Sequence, residues 1–369
     1  MNLQENPFAV LGVSPRDNRH TLLEKADEAA LLNGAAVEDA LASLLKMNQR
    51  VEAELSWFPG TDPSAAETFL RYAKELSGGG RVPMPSLEGL GCPLAQANAL
   101  SAFFAAWPDD YPEYTFGLCR SLDRILSQVT ADETLSMINE DRQAGGWDPI
   151  QDELALADPL EARLRELVQV VRIRMDRAAN EKNLLDTLNR IMSSDMDKQG
   201  TVAQAASDAY VFRIHDQEES LRTRINQQLS ALLKDRITAT RIAALKPNVE
   251  SWCRLTGPLR QTAGAFRNHA ESICHDLREC IVSCFNSAPT STEKRSRILP
   301  VAGGTQTRTV TYESKKNACQ QAIDFSKWLA ALFPEQTRFV EMLKEDQKKL
   351  SGIITDEERM VESKLILGR

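Results

Sequence analysis

The stretch LRQTAGAFRNHAESICHDLRECIVSC, residues 259 to 284, carries the most regular pattern in the chain. Its apolar residues alternate spacings of four and three, the repeat of a helix that packs one stripe against a neighbour. The pattern predicts a helix from Gly257 to Asn286 with a buried seam. The stripe consists of Leu259, Ala263, Phe266, Ala270, Ile273, Leu277, Cys280 and Cys284.

Two more long helices are predicted before this stretch. The first spans 159–193, about 35 residues and ~50 Å, and the second runs from Thr201 toward Lys246 with Phe212 among its inner positions. In the first helix, two series of residues recur at every seventh position. One series is wholly apolar, and the other is interrupted by charged residues. The two series are Leu164, Val171, Ala178, Leu185, Met192 and Leu160, Leu167, Arg174, Glu181, Leu188.

Short breaks near 195–200 and 246–257 separate these helices and allow the chain to reverse, so we predict a long-helix antiparallel bundle over 151–286. In a two-stranded coiled coil, Arg174 and Glu181 would have to be buried or paired. A bundle within one chain lets both side chains turn toward water. A monomer is therefore favoured, and a dimer through the 159–193 helix is the alternative.

The remaining segments complete an all-α prediction. Aromatic residues make up only 6% of the chain, and most segments are rich in good helix formers. Residues 61–150 predict a small helical domain, and 314–369 predict C-terminal helices at 315–333, 334–350 and 356–367. The Pro-, Gly-, Ser- and Thr-rich segment 287–313 predicts a loop with at most one short β element near 307–312.

Two features of composition bear on localisation. The longest uninterrupted apolar stretch, Ala102 to Trp107, is far shorter than the ~20 residues of a membrane-spanning helix, so no membrane partner is expected. The seven cysteines are an odd number scattered thinly along the chain. This usage predicts reduced thiols in a cytoplasmic protein.

Residues 6 to 60 predict a helical hairpin. The opening NPFAVLGVS, residues 6 to 14, precedes a helix from Thr21 to Leu32, a break at Asn33–Gly34 and a second helix ending near Leu55. The opening motif and the two helices resemble a DnaJ-type J-domain. The resemblance implies that fold over residues 1–60 and implies a DnaK-type chaperone as partner.

This block departs from the J-domain pattern at the residues that carry its activity. The family has a His-Pro-Asp tripeptide between its central helices, where this chain has Leu32-Asn33-Gly34-Ala35. Its first long helix is basic in the family and here is acidic, with Glu24, Asp27 and Glu28 around Lys25. We therefore expect that the block does not stimulate a DnaK-type ATPase, because function depends on the site and not on the fold.

Charge is divided unevenly along the chain. Residues 1–160 hold 11 basic and 25 acidic residues, and residues 161–369 hold 33 basic and 27 acidic residues. The second half also contains the basic run Lys294-Arg295-Ser296-Arg297. A basic half could contact nucleic acid, although four residues are a small footprint for phosphates.

Cys274, His275, Cys280, Cys284 and His269 cluster in sequence and raise the question of a metal site. Structural zinc sites pair ligands in turns on two separate elements, whereas these residues share one predicted helix. The cysteines are better explained as buried apolar residues. No nucleophile motif surrounds Cys253 or Cys274, so we predict no catalytic residues, no metal and no cofactor.

These patterns favour a non-enzymatic, chaperone-like adaptor or assembly factor that acts through protein–protein contacts. The opening motif and the heptad repeats motivate this hypothesis. A nucleic-acid-associated factor that uses the basic C-terminal half is the alternative, and an enzyme with a site not visible in sequence is the third.

Overall fold

The computed structural model describes residues 3–80, 83, 85–107, 111–178, 180–198, 200–234, 239–260, 264–302 and 304–367, with backbone alone at 31–35 and 233. About three quarters of the chain is helical, 76%, which confirms the helical prediction. The chain divides into two compact units, Met1–Arg213 and Ile214–Arg369. Among the described residues, none of the helices combines the length and the apolarity that a bilayer span requires.

The first unit is built from helices. In chain order they are α1 (Pro7–Leu11), α2 (Arg19–Leu45), α3 (Met47–Leu55), α4 (Pro63–Ser77), α5 (Pro93–Ala106), α6 (Pro112–Leu126), α7 (Ala131–Ala144), α8 (Leu154–Asp176), α9 (Glu181–Ser193) and the first part of α10 (Thr201–Lys234).

Residues of the opening motif determine where α1 begins and ends. The Asn6 side chain accepts a hydrogen bond from the Phe8 amide, and Pro7 occupies the first helical turn of α1, where its missing N–H is not needed. Gly12 ends the helix in the left-handed conformation with φ 63°, which glycine adopts without a steric cost. Phe8 is fully buried, so this short helix anchors the N-terminal core.

The predicted break at Asn33–Gly34 is wrong. The backbone of α2 is helical without interruption from Arg19 to Leu45. A glycine inside a helix costs about 1 kcal/mol relative to alanine, which is too little to end a helix between strong helix formers. The turn occurs instead at Lys46, whose extended backbone separates α2 from α3.

A buried ionic cluster joins α3 to α7. Glu54 accepts hydrogen bonds from Arg50 Nε at 2.8 Å and from Arg142 Nε at 2.9 Å. All three side chains are almost fully buried, and the Arg50 guanidinium also stacks 3.7 Å from the centre of the Trp147 ring. Burial of charge is tolerated here because each guanidinium has the shared carboxylate as its counter-ion.

The single long helix predicted over 159–193 is also wrong, because the structure contains two helices there. α8 ends at Asp176, and the Asn180 side chain begins α9 by accepting a hydrogen bond from the Asn183 amide. Arg174, which we expected to face water, is 4% exposed and donates to the Trp107 carbonyl. Glu181 is exposed, as expected.

The second unit has a hydrophobic core of its own, and this core contains most of the predicted heptad seam. Its elements are the rest of α10, α11 (Ala239–Thr256), α12 (Gly264–Ser287), β1 (Ser291–Val301), β2 (Gly304–Ser314), α13 (Lys316–Leu332) and α14 (Thr337–Leu367). Ile273, Leu277 and Cys280 of α12 are buried in this core, which confirms the seam. Phe266 is only half-buried, and residues 261–263 lie outside the described residues.

Two other boundaries and the burial of one residue differ from the predictions. α11 continues through Pro247, where we expected the chain to break, and its buried residues on both sides of the proline hold the helix together. α14 is one helix where two were predicted, at 334–350 and 356–367. Phe212 of α10 was placed on an inner face and is 72% exposed.

The predicted loop at 287–313 is instead an antiparallel hairpin. β1 and β2 pair from Ser291↔Ser314 to Val301↔Gly304, so the expected short element at 307–312 is the middle of a longer strand. Pro300 and the charged run at 293–297 made the first strand look like a loop. A two-stranded sheet tolerates both, because each of its strands is an edge.

Candidate interaction site on the hairpin

The two faces of the hairpin have different surroundings. Side chains alternate between the faces along each strand. Glu293, Arg308, Val310 and Tyr312 lie on the face toward α14 and are half-buried. The other side, which we call the outer face, is exposed throughout. It consists of Thr292, Lys294, Ser296, Ile298 and Pro300 of β1 and Thr305, Thr307, Thr309, Thr311 and Glu313 of β2.

Ionic contacts fasten the hairpin to the C-terminal half of α14. Arg297 forms an ion pair with Glu362. Arg308 Nη1 donates to the carbonyls of Leu365 and Ile366 at 3.2 and 3.0 Å. The last carbonyls of a helix have no intrahelical donor and carry partial negative charge, so an arginine satisfies them well.

The base of the hairpin is held by the carboxylate of Glu357. It accepts hydrogen bonds from the Ser314 hydroxyl at 2.9 Å and from the Lys315 amide at 3.1 Å. Next to it, the Lys316 ammonium donates to Glu358 at 2.7 Å. This hydrogen bond lowers the pKa of Glu358 below its ordinary value, and the charge of nearby Arg295 contributes in the same direction.

The turn of the hairpin presents an apolar tip, which we define as residues Ile298 to Ala302. Ile298 is 66% exposed and Val301 is 46% exposed, and Pro300 and Ala302 are also exposed. Leu299, between Ile298 and Pro300, is half-buried. Exposed apolar residues that lie together at the turn of a hairpin mark a contact surface more often than scattered ones do. This tip was not among the candidate residues predicted from the sequence, although residues 298 to 302 read ILPVA.

The basic run Lys294–Arg297 does not form one basic surface. Strand alternation sends Arg297 toward Glu362 and places Arg295 near Glu358, whereas Lys294 lies on the outer face. The run is therefore divided between two faces, and half of it faces the carboxylates of α14. This arrangement weakens the case for a phosphate-binding patch.

The predicted cysteine and histidine cluster is spread over several sides of α12. Cys274 and Cys280 are buried in the core, Cys284 is half-buried, and His275 is exposed. Burial raises the pKa of Cys280 to about 11 and that of Cys253 to about 12, which leaves both as neutral thiols at neutral pH. Within the described ranges, no three metal-binding side chains lie close enough together to hold a metal ion.

A cleft of about 390 Å³ in the first unit is an alternative site. It lies between α5 and α8, with Asn98, Ser101 and Arg163 at its base. Arg163 Nε and Nη2 each donate to Asn98 Oδ1 at 3.0 Å, and Asn98 Nδ2 donates to the Leu55 and Trp57 carbonyls. In the described part of the chain, the Ser101 hydroxyl has no hydrogen-bond partner that could activate it.

Comparisons of the chain with protein-family models, with curated proteins and with solved structures find no match. The J-domain resemblance of residues 6–60 therefore stays a prediction. The hairpin is the candidate site because it is exposed, carries the apolar tip and is attached to α14.

Proposed function

We propose that this protein is a non-enzymatic adaptor or assembly factor that binds a protein partner through the apolar tip and the outer face of the β1–β2 hairpin. The observation that carries the proposal is the exposure of Ile298 and Val301 at the end of a hairpin fastened at several points along α14. Exposed apolar side chains of this kind gain free energy when a partner removes them from water.

Rigidity of the hairpin supports this function. An isolated two-stranded hairpin is marginally stable in water. Here Glu357 of α14 binds its base and Glu362 binds its middle. A surface that is already ordered loses less conformational entropy on binding than a flexible loop does.

Site-specific photo-crosslinking tests the proposal. A photoreactive amino acid at Ile298 should crosslink in cells to one or a few proteins, which mass spectrometry would identify. The matched control is the same substitution at Leu154, which is 80% exposed on α8 in the first unit. Equal crosslinking patterns at 298 and 154 would contradict a dedicated site on the hairpin.

A purified partner then allows a quantitative test. Ile298→Asp should weaken binding to the identified protein at least about tenfold, because it places a charge in the apolar centre of the contact. Leu154→Asp should leave the affinity unchanged. If both variants bind as the unmodified protein does, the tip is not the contact.

Nucleic-acid binding is the second candidate, and one observation favours it. The second unit holds 24 basic and 19 acidic residues, and Lys294 of the hairpin faces outward. Retention on single-stranded DNA or RNA between about 50 and 200 mM salt tests it, because phosphate contacts lose affinity steeply over that range. Strong retention that falls with salt and with Lys294→Glu would favour this candidate over the adaptor.

A further inference from the structure

We propose that α14 pairs with α14 of a second copy of this chain, antiparallel and about a two-fold axis at Met360. In a two-fold interface the same surface is used by both copies, so that surface must complement itself. One face of α14 does so, both in its apolar residues and in its charges. The pairing goes beyond the proposed function and does not depend on it.

Three exposed apolar residues recur at every seventh position along the second half of α14. Ile353 is 37% exposed, Met360 43% and Leu367 69%. Another side of the same helix is buried, at Leu350 and Val361. Residues seven apart lie on one side of a helix, so the three exposed residues form a stripe about 21 Å long. A stripe with this spacing, which its own chain leaves in water, is suited to packing against a second helix.

Charged residues flank the stripe at positions that are symmetric about its centre. Asp356 precedes Met360 by four residues, and Lys364 follows Met360 by four. An antiparallel copy with Met360 opposite Met360 therefore places Asp356 level with Lys364 of the second copy, and this pair occurs twice. Ile353 and Leu367, each seven residues from Met360, meet in the same way. The helix thus carries the complement of its own face.

The same charges disfavour a parallel pair. That arrangement would place Asp356 beside Asp356 and Lys364 beside Lys364, and like charges that face each other oppose association. Lys364 is half-buried and, among the described residues, pairs with no carboxylate of its own chain. Asp356 forms an exposed ion pair with Arg359 at 3.9 Å, a contact that is worth little in water. Both charges can therefore engage a second copy.

The extent of the stripe determines how strong the association is. About four turns of one helix supply fewer residues than the ~20–30 on each side of a stable interface. We therefore expect a weak dimer with a dissociation constant of about 10–100 µM, and a monomer at about 1 µM. A monomer is also the expectation from the sequence, whereas the dimer that the sequence left open would pair the 159–193 segment.

Sedimentation equilibrium of the full chain, between about 5 and about 200 µM, tests the inference. We expect reversible dimerisation in that range. Met360→Asp should weaken it at least about tenfold, because the two new charges would face each other at the axis. The control Lys344→Asp, at an exposed position earlier in α14, should dimerise as the unmodified chain does. The absence of a dimer at the highest concentration, or equal weakening by both variants, would overturn the inference.

A charge exchange tests the pairing and leaves the apolar stripe intact. Asp356→Lys and Lys364→Asp should each weaken dimerisation about tenfold, because each places like charges opposite one another twice. The double variant restores opposite charges at both positions and should dimerise as the unmodified chain does. A double variant that associates as weakly as either single variant would contradict the antiparallel pairing.

Disulfide crosslinking determines the direction of the two helices. The background variant Cys284→Ser removes the half-buried thiol. In that background, chains with Ile353→Cys and chains with Leu367→Cys should crosslink when they are mixed and oxidised, and neither should crosslink when oxidised alone. Crosslinking of Ile353→Cys chains with each other would indicate a parallel pair and overturn the geometry. A dimer that forms neither crosslink would place the contact outside α14 and overturn the inference.

Discussion

At the scale of single residues, the most consequential group is the Glu54 carboxylate, which two buried arginines share. Glu54→Ala would leave Arg50 and Arg142 buried without their common counter-ion. Removal of one partner from a buried ionic cluster typically costs about 3–5 kcal/mol. We expect chemical denaturation to show a loss of that size in the free energy of unfolding.

Glu52 supplies the control for this substitution. It lies on the same helix, two residues earlier, and is exposed. Glu52→Ala should change the free energy of unfolding by less than about 0.5 kcal/mol. Similar losses in the two variants would show that the ionic cluster does not hold α3 to α7.

Thiol reactivity reports on the cysteines. Six of the seven are buried, and Cys284 is half-buried. With a disulfide reagent at pH 8 in native conditions, we expect only Cys284 to react before the protein unfolds, because buried thiols are both inaccessible and protonated. Cys284→Ser should abolish this early reaction. Rapid reaction of several thiols would contradict the core assignment of α12.

At the scale of elements, the sequence pattern predicted the structure correctly where a single requirement, the burial of one side of a helix, determined it. The four-three spacing in α12 predicted a buried seam because a helix with one packed side needs that repeat. The same reasoning misplaced Phe212, since periodicity identifies a stripe and not what covers it. The hairpin was missed because Pro300 and four charged residues suggest a loop, and only the pairing of β1 with β2 makes them residues of an edge strand. Thus the fold class was predictable, whereas the candidate site was not.

Two substitutions compare a buried seam residue with an exposed apolar one. Ile273 is 3% exposed in α12, and Phe212 is 72% exposed in α10. Ile273→Ala should lower the free energy of unfolding by about 2–5 kcal/mol through lost burial and a cavity. Phe212→Ala should change it little. Thermal unfolding distinguishes them, and equal melting temperatures would contradict the burial pattern.

The attachment of the hairpin to α14 can be tested separately from stability. Glu357→Ala removes the carboxylate that binds Ser314 and Lys315. Because the contact is partly solvated, we expect a loss of no more than about 1 kcal/mol and faster proteolysis between residues 291 and 314. Glu345→Ala, on an exposed position earlier in α14, should leave the cleavage rate unchanged. An unchanged rate in Glu357→Ala would show that the hairpin is held by other contacts.

At the scale of the whole molecule, the two units differ in net charge. Met1–Arg213 has 20 basic and 33 acidic residues, a net charge of −13, and Ile214–Arg369 has +5. Such opposite fields favour different partners for the two units. The acidic unit contains the block that resembles a J-domain, and the basic unit contains the hairpin.

The acidic character of the first unit leads to a prediction about chaperones. The intact protein should not raise the ATPase rate of a purified DnaK-type chaperone, because the His-Pro-Asp tripeptide is absent and Glu24, Asp27 and Glu28 would face an acidic partner surface. A DnaJ-type protein with the tripeptide is the positive control. Stimulation by several-fold would contradict the prediction.

The ionic cluster of α3 and α7 also has a consequence for the synthesis of the chain on the ribosome. Arg142 follows Glu54 by 88 positions in the chain, and a ribosome adds about 5–20 residues per second. After Glu54 has been added, synthesis therefore takes about 4–18 s to reach Arg142, the second arginine of the cluster. During that interval Phe8 and Leu55 belong to a core that lacks α7, so the nascent N-terminal helices are most open to aggregation while residues 55–142 are being synthesised.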